Sequence, residues 1–164
     1  MPSHPLRTVT VHGSNGNTYV VKLWAENSIS DCAAHAYGAP VIDFLKHHDC
    51  SGMRSVLATT TVGGRAVGFA QRSIGFRGAG NSSYRTAGQF RELVSRSGTG
   101  NLNDLLREGY RLPGGPSQLP FPNAFNAQGQ DNSVTIVEAW YLKGATSDND
   151  PALERMERDI FLQI

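Results

Sequence analysis

The residues best suited to chemistry in this 164-residue sequence are Cys32 and Cys50, because each has a histidine three positions away on the side that faces the other cysteine. Cys32-x2-His35 and His47-x2-Cys50 form a mirror-image array. Side chains three positions apart share a helix face, so each pair can chelate, and two cysteines with two histidines suit zinc. The spacing matches no common zinc motif. A metal site of Cys32, His35, His47 and Cys50 is therefore kept only as a weak alternative.

A disulfide between Cys32 and Cys50 is the favoured interpretation, and two buried free thiols are the third. In one straight helix the two residues would lie about 27 Å apart, which excludes both a bridge and a shared metal. Gly38-Ala39-Pro40 predicts a break, because glycine follows helix ends and proline favours the first turn of the next helix. The second helix can then fold back and bring the sulfurs together.

Such a disulfide indicates an oxidising compartment. We therefore expect an extracellular or cell-surface protein whose signal or anchor is absent from this chain, while a cytoplasmic location stays open. No apolar run approaches the ~18–20 residues of a membrane-spanning helix.

Strong catalytic motifs are absent from the sequence. His12-Gly13-Ser14-Asn15-Gly16 lacks the spacing of a nucleophile elbow, and neither a P-loop nor HExxH occurs. Asp43 and His47 are weak catalytic candidates, as a base and the acid that orients it, although such pairs usually only stabilise a helix surface. Gly98-Thr99-Gly100-Asn101 is a weak anion-binding loop. We expect no cofactor and lean against an enzyme.

Charge is segregated along the chain, although the net charge is only +1. Residues 1–50 carry −1, residues 51–111 carry +6 and residues 112–164 carry −4. Exposed arginines of the basic middle segment would suit phosphate, an acidic glycan or an anionic lipid surface, because arginine offers a rigid bidentate fork. Internal pairing with the acidic C-terminal segment is the competing interpretation. The anion-binding candidates are Arg54, Arg65, Arg72, Arg77 and Arg85.

Hydrophobic periodicity predicts an α+β fold. Strand patterns occur at 7–12, 18–24, 54–62 and 65–76, and the run 133–142 is apolar on both faces, as in a central strand. Gly63-Gly64 predicts a tight hairpin turn. Helices are expected over 29–37, after Pro40, at about 84–96, over 102–108 and after Asp150-Pro151. The order ββααββααβα implies an antiparallel sheet of about five strands with helices packed mainly on one face.

Length and composition favour one domain. Residues 1–6 read as an extended leader and residues 7–164 as a single α+β domain, in which 110–132 is a long ordered loop. The leading hypothesis is a non-catalytic extracytoplasmic binding or assembly domain of unknown ligand. Its alternatives are a small hydrolase or transferase that uses His and Asp with an arginine anion clamp, and a polyanion-binding module.

The partner is not specified by the sequence. A protein partner or an acidic ligand fits the charge pattern. Exposed edges of a hairpin-built sheet permit a homo-oligomer without specifying one.

Overall fold

Eight strands and three helices make up the computed structural model within the residues that it describes, 3–161 and 163–164. Six strands form one antiparallel sheet, and the other two form a small separate ladder. The predicted α+β class and antiparallel sheet are confirmed, with one more strand in the main sheet than expected. In chain order the elements are β1 (Arg7–His12), β2 (Thr18–Ile29), β3 (Ala36–Tyr37), α1 (Ala39–His47), β4 (Cys50–Val62), β5 (Arg65–Phe76), α2 (Ser82–Val94), β6 (Asn101–Leu102), β7 (Ala124–Gln130), β8 (Ser133–Tyr141) and α3 (Pro151–Ile160).

The large sheet has the strand order β1-β2-β4-β5-β8-β7. Its centre is the long hairpin of β4 and β5, closed by Gly63 and Gly64 at φ 56° and 78°. A two-residue hairpin turn with both φ values positive suits glycine, which has no Cβ to clash. The predicted turn is confirmed. β8 lies between β5 and β7 and is buried along nearly its whole length, as its apolar sequence predicts.

Helices cover both faces of this sheet. Side chains alternate between faces along a strand, so Ile74 and Ile136 enter one side while Phe69 and Val137 enter the other. α1 and α2 pack on the side of the two isoleucines, and α3 packs on the opposite side. The expectation of helices mainly on one face therefore holds for two of the three helices.

The predicted starts of α1 and α3 are confirmed. α1 has its proline in the first turn. α3 begins after Asp150, whose Oδ1 accepts a hydrogen bond from the Leu153 amide at 3.0 Å. Proline lacks the amide that the first turn leaves unpaired, and a capping carboxylate satisfies another, so Asp-Pro is a strong local start signal. No described helix combines the length and the apolarity needed to cross a membrane.

Two predicted helices are wrong. Over 29–37, β2 instead continues to Ile29, and one 3-10 turn (Ala33–His35) precedes β3. Residues 26–29 pair with β4, and this pairing satisfies backbone groups that a helix would otherwise have paired. Over 102–108, the chain forms β6 and then an irregular turn. Short apolar stripes fit either a helix or a strand, and tertiary pairing decided between them.

The predicted loop 110–132 is also corrected. The irregular segment spans residues 103–123, and residues 124–130 form β7 against β8. β7 is an edge strand that carries Asn126, Gln128 and Gln130, so it has little apolar signal in the sequence. Of the predicted leader, residues 1 and 2 lie outside the described residues, and residues 3–6 form neither helix nor strand.

Candidate functional site

Cys32 and Cys50 form a disulfide, with Cα atoms 6.4 Å apart. Cys32 precedes the 3-10 turn and Cys50 begins β4. Gly38 has φ 86° and α1 starts immediately after it, as predicted, although a 3-10 turn and β3 precede it in place of the expected first helix. The chain thereby returns to the start of β4, and the bridge follows.

The alternative zinc site is not formed. Its sulfurs are bonded to each other, and a metal would need them as thiolates. His35 Nδ1 lies 2.5 Å from Glu108 Oε1, and His47 Nδ1 lies 2.8 Å from the carbonyl oxygen of Asp43. Across residues 3–161 and 163–164, no group of three or more Cys, His, Asp or Glu side chains is placed to hold a metal ion.

Asp43 and His47 lie in open solvent on α1. His47 Nδ1 is 3.5 Å from Asp43 Oδ1, and the two side chains are 70% (His47) and 75% (Asp43) exposed. A general base acts on a proton that a substrate site positions, usually with water excluded. This exposed pair has no such enclosure, so the structure gives the predicted catalytic role no support.

Two of the five candidate arginines are paired with acids from the first fifty residues. Arg54 Nε donates to Glu26 Oε1 at 2.8 Å, and Arg77 Nη1 donates to Asp49 Oδ1 at 3.1 Å. The Arg54 guanidinium also holds the pKa of Glu26 below its usual value, mainly through this hydrogen bond. Internal pairing therefore occurs with acidic side chains of the first fifty residues, and Arg54 Nη1 also donates to the backbone oxygen of Ile164 in the C-terminal segment at 3.1 Å.

The other surface candidates are also separate from one another. Arg65 lies over the ring of Tyr141, 3.5 Å from its centroid. Arg85 is exposed on α2. The five arginines therefore do not form one free cationic surface, and the structure gives a common anion site no support.

Arg72, the remaining candidate, is buried and paired across the sheet. Its Nη2 donates to Glu138 Oε1 at 2.8 Å, and the two side chains are only 1% and 11% exposed. Arg72 on β5 and Glu138 on β8 are diagonal neighbours, within reach of long side chains. Arg72 is therefore not part of an exposed arginine surface, because Glu138 of the same sheet supplies its anionic partner. Its Nε and Nη1 are buried without a hydrogen-bond partner in the described structure.

Glu138 accepts hydrogen bonds from two further side chains. Asn123 Nδ2 donates to Oε2 at 3.0 Å, and Asn101 Nδ2 approaches Oε1 at 3.5 Å. Removing a carboxylate from water costs free energy unless the group is paired and hydrogen-bonded, and these donors offset that desolvation. A carboxylate offers about four lone-pair positions, so three donors leave one acceptor position open.

The 103–123 segment encloses a cavity of about 450 Å³ beside Glu138. This volume falls within the range of small-molecule sites. Two arginines and two acids line it, so their formal charges sum to zero, and aromatic and amide side chains complete the wall. The principal lining residues are Tyr37, Asp104, Arg107, Arg111, Asn123 and Glu138.

Tyr37 forms one wall of the cavity. The Arg107 guanidinium lies over its ring, 3.8 Å from the centroid. Burial, and then the charge of Glu138, raise the pKa of Tyr37 above its usual value, while Arg72 and Arg107 act in the opposite direction. The phenol therefore keeps its proton at neutral pH and offers the cavity a donor and an acceptor.

Close packing of two backbone segments places Tyr37 in the site. Tyr37 of β3 pairs with Asn101 of β6. A Cβ on Gly38 or on Gly100 would overlap the facing backbone, and both glycines have positive φ, 86° and 109°. Gly100 of the 98–101 motif, considered above for anion binding, thus serves close packing, whereas a Cβ on Gly98 would meet no atom within 4 Å.

Contacts near the start of the 103–123 segment hold it in place over the cavity. Asp104 is buried, and its Oδ1 accepts a hydrogen bond from the Arg107 amide at 3.0 Å. Trp140 lies across Gly68, where an added Cβ would come within 2.8 Å of the indole. Leucines of the segment pack with Trp140 in one buried cluster, and they are Leu105, Leu106 and Leu112.

No sequence motif predicts the cavity beside Glu138. Its signal in the sequence is a charged residue inside an apolar strand pattern: Glu138 within 133–142 and Arg72 within 65–76. A charge in a buried strand needs a partner, so the two residues predict each other once the strands are adjacent. Comparisons with family models, curated proteins and solved structures found no match to this chain.

Proposed function

We propose that this protein is a non-catalytic binding domain that holds a small polar ligand in the cavity beneath the 103–123 segment. The observation that carries the proposal is the buried Arg72–Glu138 pair, of which Glu138 lines the cavity together with its donor Asn123. Apolar side chains of similar volume often stabilise a core as well as a buried ion pair does. A polar cluster beside an open cavity is therefore better explained by recognition than by stability.

The cavity lining favours binding over catalysis. No histidine or cysteine is among the residues that line it. Glu138 already accepts hydrogen bonds from Arg72 and Asn123, so its carboxylate is held within the protein's own hydrogen-bond network. The hydrolase or transferase alternative uses a histidine with an aspartate, and the residues that line this cavity include no histidine.

An extracytoplasmic location is part of the same proposal. It is supported by the Cys32–Cys50 disulfide, since such bonds persist mainly in oxidising compartments. The polyanion alternative has less support, because it needs a free cationic surface. Arg54 and Arg77 are instead paired with acids, and Arg72 is buried.

Ligand screening by backbone and side-chain amide NMR tests the binding function. The panel contains saccharides, amino acids, nucleosides and inorganic phosphate at millimolar concentration. We expect at least one class to shift the Asn123 side-chain amide and the signals of Tyr37. Tyr37→Phe should weaken that response, and Tyr84→Phe on α2 is the matched control. Shifts confined to other surfaces, or none, would reject the proposal.

A further inference from the structure

The cavity also defines what kind of ligand it suits, and this inference rests on the proposed binding function. We propose that the ligand is a neutral carbohydrate. Its hydroxyl groups face Glu138, Asn123 and Tyr37, and the apolar face of one sugar ring packs on Phe121.

Charged groups of the cavity already make hydrogen bonds within the protein. Glu138 is paired with Arg72, and Asp104 accepts the Arg107 amide. Arg111 Nη1 donates to two backbone carbonyl oxygens, at 3.0 and 2.7 Å. An ionic ligand would compete with these bonds, whereas neutral hydrogen-bonding groups can use the positions that they leave open.

Hydroxyl groups match the positions that remain open. Glu138 Oε2 accepts one bond, from Asn123, and retains an acceptor position. The protonated Tyr37 hydroxyl both donates and accepts, and the guanidinium of Arg107 beside it donates. A hydroxyl has the same dual capacity, so adjacent hydroxyls on a sugar can meet acceptors and donors on one wall.

Phe121 supplies the complementary apolar contact at the cavity mouth. It lines the cavity yet is 95% exposed, the most exposed of the large hydrophobic side chains in the described structure. Prolines on both sides restrict the backbone that presents the ring. A pyranose has a face of C–H groups and a rim of hydroxyls, so one ring can cover Phe121 while its rim enters the cavity. Inorganic phosphate has no such face.

Two variants of residues that line the cavity test this assignment on the intact disulfide-bonded chain. The probes are glucose, galactose, mannose, N-acetylglucosamine and their β1,4-linked disaccharides, with glycine, glutamine and inorganic phosphate as the ionic set. We expect a saccharide to shift Tyr37, Phe121 and Asn123. Phe121→Ala should weaken its binding about 2- to 10-fold, the range of an aromatic contact. Tyr37→Phe should weaken it about 2- to 10-fold through one lost hydrogen bond.

Controls separate the two proposals. Tyr84→Ala removes an aromatic side chain that is 50% exposed on α2 and should leave saccharide binding unchanged. Binding of an ionic probe in the cavity without any saccharide would overturn the carbohydrate assignment and keep the binding function. Saccharide binding that both cavity variants leave intact would also overturn it. If no saccharide, no ionic probe and no nucleoside binds in the cavity, both proposals are overturned.

Discussion

Glu157 makes the folded state depend on pH in a direction that can be measured. It lies on α3, is fully buried, and both of its carboxylate oxygens lack a hydrogen-bond partner in the described structure. Burial, followed by the charges of Glu138 and Glu154, raises the pKa of Glu157 to about 9, and Arg158 opposes this shift. The side chain is therefore neutral in the folded protein at pH 7 and ionised in the unfolded chain.

The sign and size of the effect follow from these two states. The folded pKa lies above the ordinary value of 4.5, so the folded chain binds one proton that the unfolded chain lacks between pH 4.5 and about 9. The free energy of unfolding is therefore highest below that window and falls as pH rises through it, by about 1.4 kcal/mol per pH unit. At pH 7 the loss is about 3 kcal/mol. Because the folded carboxyl is still protonated at pH 7, this figure depends only on the unfolded pKa.

Glu157→Met removes the titration and fills the same site with an apolar helix former. We expect the variant to be about 3 kcal/mol more stable at pH 7 and to lose the slope of about 1.4 kcal/mol per pH unit relative to the parent. The free energy of unfolding is measured by urea denaturation from pH 5 to 8 in both proteins. Contributions from the rest of the chain are the same in both proteins and cancel in the difference.

Glu92→Gln is the matched control, because Glu92 is exposed on α2 and loses the same formal charge. Its pH profile should run parallel to that of the parent. Parallel profiles for Glu157→Met and the parent would refute the reasoning. An NMR titration that finds the Glu157 carboxyl ionised in the folded protein at pH 7 would refute it as well.

Three further outcomes are expected. Arg72→Met leaves the Glu138 carboxylate buried and unpaired and should cost about 3–5 kcal/mol of stability in urea denaturation, while Arg72→Met with Glu138→Leu should recover most of it. Replacing both Cys32 and Cys50 by serine should lower the free energy of unfolding by about 3 kcal/mol, since an 18-residue separation is no longer closed in the unfolded chain. Asp150→Ala removes the cap of α3 and should cost about 1 kcal/mol, visible as a lower Tm.

A specific result would contradict each of these three predictions. If the double variant at Arg72 and Glu138 were as unstable as the single one, the cost would come from packing and not from charge. A protein with two titratable native thiols would contradict the disulfide. A Tm unchanged by Asp150→Ala, with Asp148→Ala as control, would show that the cap carries no stability.

Much of the fold was predictable because its signals are local. Gly63-Gly64 closes a hairpin and Asp150-Pro151 starts a helix through conformations that involve only neighbouring residues. The disulfide was predictable from the paired cysteines and the break at Gly38. The helices predicted over 29–37 and 102–108 are wrong because residues in both ranges pair with strands elsewhere in the chain: Ile29 with β4, and β3 with β6.

The cavity was not predictable from the same signals. β7 has little apolar pattern, and the segment before it contains no regular element, so neither its path nor its enclosure shows in the sequence. Nothing in the sequence around Tyr37 marks it as a site residue. Its position depends on the close approach of β3 and β6, which Gly38 and Gly100 permit. Its role in the site exists only through that contact.

The sequence by itself determined the α+β class, the turns and caps, the cysteine pair, and the presence of two charges inside apolar strands. These depend on interactions over a few residues or on side-chain chemistry alone. Only the tertiary structure decided that Arg72 meets Glu138, 66 positions away, and that Asn101 joins them across 37 positions. Strand order and register bring these residues together, and a shift of one residue would turn each side chain to the opposite face of the sheet.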